Sequence, residues 1–165
     1  MFPAMRRAKQ ALSPQECQAI LERGRTCILA VSGAEGYPYA VPLNYVYQDG
    51  KLYFHCAKQG QKLDAIRQNP KVSVCVVDRD EIYPADYTTL FSSVILFGRA
   101  RILEEEAEKR AAITLFTKKY VPNDPEDYRQ YRINRSYPPL CMVEITVEHM
   151  TGKQAKELMP PAAQG

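Results

Sequence analysis

The residues best suited to chemistry lie in one short stretch, FHCAKQGQKLDAI, which spans positions 54–66. It contains His55, one of two histidines, followed by Lys58, Gly60 and Lys62. A strand that runs through a loop of small residues into a helix presents free backbone N–H groups and the positive end of the helix dipole. With two lysines beside it, such a corner suits a phosphate monoester. A solvated corner whose lysines serve only solubility fits the same residues.

Two further polar positions interrupt apolar segments. Asn44 lies in the otherwise apolar PLNY at 42–45, and Ser92 and Ser93 precede the apolar Val94–Phe97. Asn44 could hydrogen-bond the edge of a planar ring, or its amide could be satisfied by neighbouring backbone. The two serines could bind a ligand on the sheet, or they could simply be small residues within it.

The protein's own side chains offer little for catalysis. His55 and His149 are far apart in the chain, and no GxSxG, HExxH, Walker A or GxGxxG motif is present. Each histidine could be a strand-end residue with satisfied hydrogen bonds, or an axial ligand in a haem-binding protein. We therefore expect a bound cofactor to supply any chemistry.

Composition excludes several other classes. The net charge of +3 over 165 residues is too small to indicate nucleic acid or an anionic membrane as partner. Tyr128–Arg135 alternates tyrosine with arginine, a pattern that could stack single-stranded nucleic acid, but acidic residues adjoin it and favour a lid or surface loop. The five cysteines form no CxxC pair, so we expect buried, reduced thiols, no metal site and a cytoplasmic protein. No segment has the length of a membrane span or the pattern of a signal peptide.

Local signals define the elements that would position these residues. Ser13 and Glu16 form a capping box for a helix that Gly24 ends. Alternating or apolar runs predict six strands, and Asp49-Gly50 marks a hairpin between the second and third. The predicted strands cover residues 26–32, 37–47, 51–56, 71–78, 90–103 and 140–147.

Other features refine this outline. Pro38 and Pro42 indicate that the strand at 37–47 lies at a sheet edge or contains a bulge, and the apolar middle of 90–103 indicates burial on both faces. Two more helices are predicted, at about 61–68 and at 104–120. The remaining segments are expected to be a polar loop at 79–88, an irregular stretch with one turn at 121–139, and a flexible tail at 156–165.

Hairpin signals and short spacings favour a mainly β, antiparallel barrel with peripheral helices, in one domain over residues 1–155. Three segments, GYPYAVPLNYVYQDGKLYFHCAKQGQKLDAI, SSVILFGRARIL and VEITVEHMTGK, then resemble a known family. They look like the nitroimidazole-resistance branch of the flavin-binding split-barrel proteins, which are related to pyridoxamine 5′-phosphate oxidase. The resemblance covers about residues 5–155.

The resemblance implies a six-stranded antiparallel split β-barrel and a homodimer, with FMN at the dimer interface and a small-molecule substrate. It assigns cofactor contacts in four places. The phosphate loop matches His55, Cys56, Ala57, Lys58, Gly60, Gln61 and Lys62. The strand along the flavin ring matches Pro42, Leu43, Asn44 and Tyr45, and positions near the phosphate and ribityl chain match Ser92, Ser93 and Val94. Lys153, in the closing MTGK, is expected to approach the flavin or the partner subunit.

Two departures from the family pattern qualify the function. Gln61 stands where relatives often carry a basic residue, so Lys58 and Lys62 must neutralise more of the phosphate charge. The chain has no tryptophan and lacks a C-terminal arginine motif, so oxidase activity on pyridoxamine phosphate is not expected. The resemblance instead implies an FMN-dependent oxidoreductase that reduces nitroaromatic or similar electron-poor molecules, with Tyr45 or residues 121–139 as a substrate wall. The alternative is a non-catalytic flavin- or haem-binding sensor.

Overall fold

The computed structural model describes residues 2–159, which form one antiparallel sheet with four α-helices around it. The strands are β1 (Ala11–Leu12), β2 (Thr26–Ser32), β3 (Pro38–Asn44), β4 (Val46–Gln48), β5 (Lys51–Ala57), β6 (Lys71–Tyr83), β7 (Thr88–Ile102) and β8 (Leu140–Gln154). The helices are α1 (Pro14–Arg23), α2 (Gln61–Gln68), α3 (Glu106–Tyr120) and α4 (Glu126–Ser136).

The sheet closes into a split barrel at Tyr45, the single residue between β3 and β4. Its strand order is β3-β2-β6-β7-β8-β5-β4, so β3 and β4 lie at opposite edges. Only Tyr45 separates these two strands in the chain, and the sheet must therefore curl until its edges meet. The Tyr45 side chain is fully buried, and its hydroxyl donates to the Leu21 carbonyl at 2.8 Å. The Tyr120 hydroxyl accepts from the Tyr45 N–H and donates to the Arg25 carbonyl at 2.6 Å. The predicted antiparallel split barrel is confirmed.

Several local predictions are also confirmed. Ser13 and Glu16 make the full capping box at the start of α1. The strand with two prolines is the edge strand β3. Asp49 and Gly50 both adopt positive φ, 50° and 76°, in the two-residue turn between β4 and β5, the conformation that such hairpins require.

Four predictions about the secondary-structure elements are wrong. The segment at 79–88 is a long β6–β7 hairpin rather than a loop, and residues 121–139 contain α4 rather than irregular chain. β8 continues seven residues beyond Val147, to Gln154. Within residues 2–159 there are eight strands rather than six, because the segment at 37–47 breaks at Tyr45 and because Ala11–Leu12 adds a short strand beside β8.

A β-bulge in β8 determines which side chains face the barrel interior. Phe97 pairs with His149, whereas the next residue, Gly98, pairs with Val147, so Glu148 has no partner in the register. Up to Val147 the odd-numbered residues of β8 face the core. Because one residue is skipped, the odd-numbered residues from His149 onward face outward.

Half of the barrel's outer surface is covered. α3 and α4 pack on β5 and the first part of β8, with a small second core that includes Ile113, Phe116, Ile133 and Met142. The prediction that the middle of β7 is buried on both faces is wrong for the single chain, since Ile95 is 40% exposed. Its outward residues belong to the uncovered half of the barrel.

The chain end and the helices complete the description. Lys156–Leu158 forms a 3-10 helix and Met159 is buried, so the predicted tail begins with ordered residues. The rest of that tail, residues 160–165, lies outside the described residues. Across residues 2–159, no helix has both the length and the apolar character that a membrane crossing requires.

Candidate functional site

The loop from β5 to α2 has the backbone geometry of an anion site. The N–H groups of Leu63 and Asp64 donate to the Gly60 carbonyl, and the N–H groups of Gln61 and Lys62 have no acceptor within the helix. No side chain caps this helix. Gly60 has φ 141°, a value that favours glycine, and an added Cβ would meet no atom within 4 Å. A ligand can therefore approach the loop backbone directly. We call residues 55–62 the anion corner.

The charged side chains of the anion corner are cationic, and the nearby acidic residue, Asp64 in the first turn of α2, is paired with Arg67. In the described chain, Lys58 and Lys62 make no ion pair, and Lys58 is exposed. Burial raises the pKa of Cys56 to about 11; Cys141 on the neighbouring strand adds to the rise, and Lys62 acts in the opposite direction. The Cys56 thiol thus stays neutral at physiological pH and adds no negative charge against a phosphate. The Gln61 side chain is exposed and neutral.

The PLNY segment leads directly into β4, which pairs with the strand of the anion corner. β4 and β5 pair Val46 with Tyr53 and Tyr47 with Leu52. Asn44 lies two residues before Val46, and His55 lies two residues after Tyr53. Pro42 and Asn44 are exposed, and the Asn44 amide donates to the Arg25 carbonyl at 2.9 Å. That amide is satisfied locally, while its oxygen remains available.

The uncovered half of the barrel continues from Pro42 and Asn44 across four strands. We call it the open face; in register, Pro42 pairs with Ile28, Ile28 with Cys75, Cys75 with Ile95 and Ile95 with Thr151. Its other outward side chains are Ala30, Ser73, Val77, Ser93, Phe97, His149 and Lys153. Lys153 lies beside Ser93 in register. Lys71 and Arg99, which are exposed partners in register, follow Ser73 and Phe97 at the edge of this face. Between that pair and Lys153 the outward side chains are largely apolar.

The remaining predicted site residues point elsewhere. Tyr45 and Val94 are fully buried in the barrel core, and Leu43 and Cys56 pack against that core. The Tyr45 side chain is therefore unavailable as a substrate wall. His55 packs edge-on against Phe116 of α3 at 4.6 Å, and burial lowers its pKa.

Ser92 has a structural partner. Its hydroxyl donates to the Asp78 carboxylate at 2.7 Å, and Arg23 donates to the same carboxylate at 2.8 Å. Asp78 is the extra residue of a second bulge, between Val77 and Arg79. The three residues join α1 to β6 and β7, so Ser92 acts in positioning the strand that carries Ser93.

Sequence reasoning missed an aromatic cluster on the open face. The Phe2 ring stacks on His149, with centroids 4.4 Å apart and planes inclined by 7°, and on Phe97 at 5.1 Å. The bulge at Glu148 aligns His149 with Phe97, and this long-range register has no local signal in the sequence.

Comparison with known proteins places this geometry in a family. A family model described as pyridoxamine 5′-phosphate oxidase matches residues 13–154. The chain belongs to this family.

Individual proteins similar to this chain were found at several levels of sequence identity. An uncharacterized protein of Rhizobium meliloti (strain 1021) is 35% identical over 69 residues, a match that spans 42% of this chain and 44% of that relative. A crystal structure of a candidate 5-nitroimidazole antibiotic resistance protein from Bacteroides thetaiotaomicron superposes with a TM-score of 0.73 at 21% identity, covering 87% of this chain and 86% of the other. This likeness is one of fold.

An FAD-binding protein from Mesorhizobium loti, also of known structure, is 27% identical, with a TM-score of 0.63 and coverage of 88% and 96%. The same barrel therefore carries a flavin in a related protein.

The Asp78 junction gives a pH-dependent prediction. Hydrogen bonds from Arg23, with a further one from Ser92, lower the pKa of Asp78. A carboxylate whose pKa is lowered by folding stabilises the native state above its unfolded pKa of about 4 and loses that contribution as pH falls through the folded value. We expect Asp78→Asn to lower the free energy of unfolding by about 1 kcal/mol at pH 7, and the difference from wild type to shrink below pH 4. Urea unfolding at pH 7 and below pH 4 measures the free energy of unfolding of the variant and of the wild type.

Asp80→Asn is the matched control, because Asp80 is exposed and carries the same charge on the same strand. Equal effects of the two substitutions at pH 7 would contradict a specific role for Asp78.

Proposed function

We propose that this protein is an FMN-dependent oxidoreductase that acts as a homodimer on electron-poor aromatic small molecules, nitroaromatics included. The observation that carries the proposal is the anion corner at one end of a largely apolar open face, in a chain of the pyridoxamine 5′-phosphate oxidase family. A phosphate group and a planar ring are the two ends of FMN, and the two surfaces match them.

The anion corner fits the phosphate. Free N–H groups of Gln61 and Lys62 at a helix N-terminus favour a dianion, and Lys58 and Lys62 supply the compensating positive charge. Gly60 leaves the approach open. Since Gln61 contributes no charge, the two lysines hold the phosphate together with the backbone.

The open face fits the ring. Pro42 and Asn44 extend from the corner onto an apolar surface where Ile28 and Ile95 are 38% and 40% exposed. When bound, FMN would supply hydride transfer from its N5 atom to an electron-poor acceptor. The chain's residues hold the ring in place, offer the Asn44 side-chain oxygen at the ring edge and exclude water, so no side chain has to act as an acid or base.

The same face supports the proposed homodimer. Val77 is 58% exposed, and together with Ile28 and Ile95 it forms an apolar surface that a single chain leaves uncovered, a feature typical of interaction sites. A second copy seated here would bury the flavin ring between two barrels.

The five cysteines are free thiols, which supports a cytoplasmic protein.

Spectroscopy of the purified protein tests the function. We expect the purified protein to show flavin absorbance. We expect a reduced nicotinamide cofactor to reduce the bound flavin under anaerobic conditions, and 4-nitrobenzoate to reoxidise the flavin as its nitro group is reduced. A Soret band without flavin absorbance would contradict the flavin assignment and favour a haem protein. A flavin that is never reoxidised by electron-poor aromatics would favour a non-catalytic carrier.

The phosphate contacts are tested by substitution. We expect Lys58→Ala combined with Lys62→Ala to weaken FMN binding about 100-fold or more, because two charge-assisted hydrogen bonds of about 1.5 kcal/mol each are lost. Fluorescence titration of the flavin-free protein measures the affinity, and circular dichroism checks the fold.

The control for those lysines is Lys118→Ala combined with Arg135→Ala, which removes the same charge from exposed positions on α3 and α4. If both double variants bind FMN with wild-type affinity, the phosphate does not lie in the anion corner.

A further inference from the structure

The aromatic cluster on the open face lies apart from the anion corner and has no part in the proposed phosphate contacts. Phe97 and His149 are partners in register on neighbouring strands. The Phe2 ring covers them, nearly parallel to His149 at 7° and inclined by 29° to Phe97. This is the geometry in which planar rings stack. The pair formed by Phe97 and His149 thus already holds a planar ring, that of Phe2 from the protein itself.

The β8 bulge builds this platform. Glu148, the unpaired residue, forms an ion pair with Arg99 at 2.8 Å and lines a cavity that Phe2 and Phe97 also line. By skipping Glu148, the register turns His149, Thr151 and Lys153 outward, beside Phe97, Ile95 and Ser93. Bulges that redirect side chains in this way are over-represented next to active sites.

Phe2 is held loosely for an aromatic residue. Its side chain is 42% exposed, and Pro3 and Ala4 beside it are exposed and outside any helix or strand. The first regular pairing of the chain begins only at Ala11 and Leu12, against Lys153 and Gly152. The stack is therefore the main ordered contact that holds Phe2 on the sheet.

Two cavities share Phe2 and Phe97 in their linings. One of about 290 Å³ is lined by Phe2, Ser93, Ile95, Phe97, His149 and Lys153, among others. The second, of about 440 Å³, is lined by Phe2, Lys71, Phe97, Gly98 and Glu148, among others.

We propose that Phe97 and His149 form a stacking subsite for the aromatic ring of the substrate, and that Phe2 occupies this subsite until a substrate displaces it. Lys153 borders the first cavity; its ammonium lies 5.4 Å from the Phe91 ring centroid and makes no ion pair in the part of the chain that the structure describes. The ligand class is a planar aromatic ring with a carboxylate or nitro substituent directed at Lys153. Naming the ring a substrate rests on the proposed function; the subsite itself does not.

The test is the equilibrium binding of 4-nitrobenzoate, measured by calorimetry on flavin-free and on flavin-loaded protein. We expect Phe2→Ala to tighten binding about 3- to 10-fold in both forms, because the ligand no longer displaces one aromatic stack. Phe2→Leu keeps an apolar side chain without a ring and gives a smaller gain. Adding Phe97→Leu to Phe2→Ala removes the gain. The control is Tyr37→Ala, an aromatic residue that is 75% exposed outside the cluster, and it leaves the affinity unchanged.

Unchanged or weaker binding by Phe2→Ala would overturn the proposal. Tightening confined to flavin-free protein would also overturn it, because the platform would then belong to the flavin ring. If the protein binds no flavin at all, the proposed function fails, while tightening in the flavin-free titration still supports the stacking subsite.

Discussion

One unpaired residue in β8, Glu148, decides which side chains of this protein face its core and which face a ligand. Before the bulge, Val143 and Ile145 fill the barrel; after it, His149 and Lys153 point outward. Without the skipped position, an imidazole and an ammonium group would enter an apolar interior at a cost of several kcal/mol. The bulge therefore serves both stability and the site, because a single register satisfies the core of the barrel and assembles the open face.

Barrel closure supplies the second constraint. Because β3 and β4 are joined only by Tyr45, the two sheet edges meet where PLNY passes the end of β5. The Tyr120 hydroxyl holds the backbone at this break, and the buried Tyr45 ring fixes it from inside. The proposed flavin site combines the loop after β5 with an edge strand because of this topology. In that proposal, two lysines and a helix N-terminus hold the phosphate, since Gln61 brings no charge.

Local signals in the sequence were sufficient for much of the fold. The capping box at Ser13, the Asp49-Gly50 turn and the prolines of the edge strand each depend on a few adjacent residues, and the structure confirms them. α4 could not be predicted in this way, because its sequence is strongly polar and only Arg129 and Ile133 are buried. Arg129 can be buried because it donates hydrogen bonds to the carbonyls of residues 121 and 124. Such contacts produce no helical periodicity in the sequence.

The same limit applies to the site. The anion corner is visible in the sequence because strand, glycine, lysines and helix are contiguous. Phe2, Phe97 and His149 are far apart in the chain, and a bulge that depends on long-range pairing brings the last two together. The charged run at 79–81 predicts a loop, but pairing with β7 holds it in a strand. In each of these cases, the information lies in pairing between distant segments.

Native mass spectrometry of the purified, coloured protein tests the central claim most directly, because one spectrum gives the number of chains and the mass of the cofactor. The account predicts a dimer that carries two molecules of FMN, and a dimer without FMN when Lys58 and Lys62 are both replaced by alanine. Monomers that retain the flavin, or a bound mass that is not FMN, would contradict it.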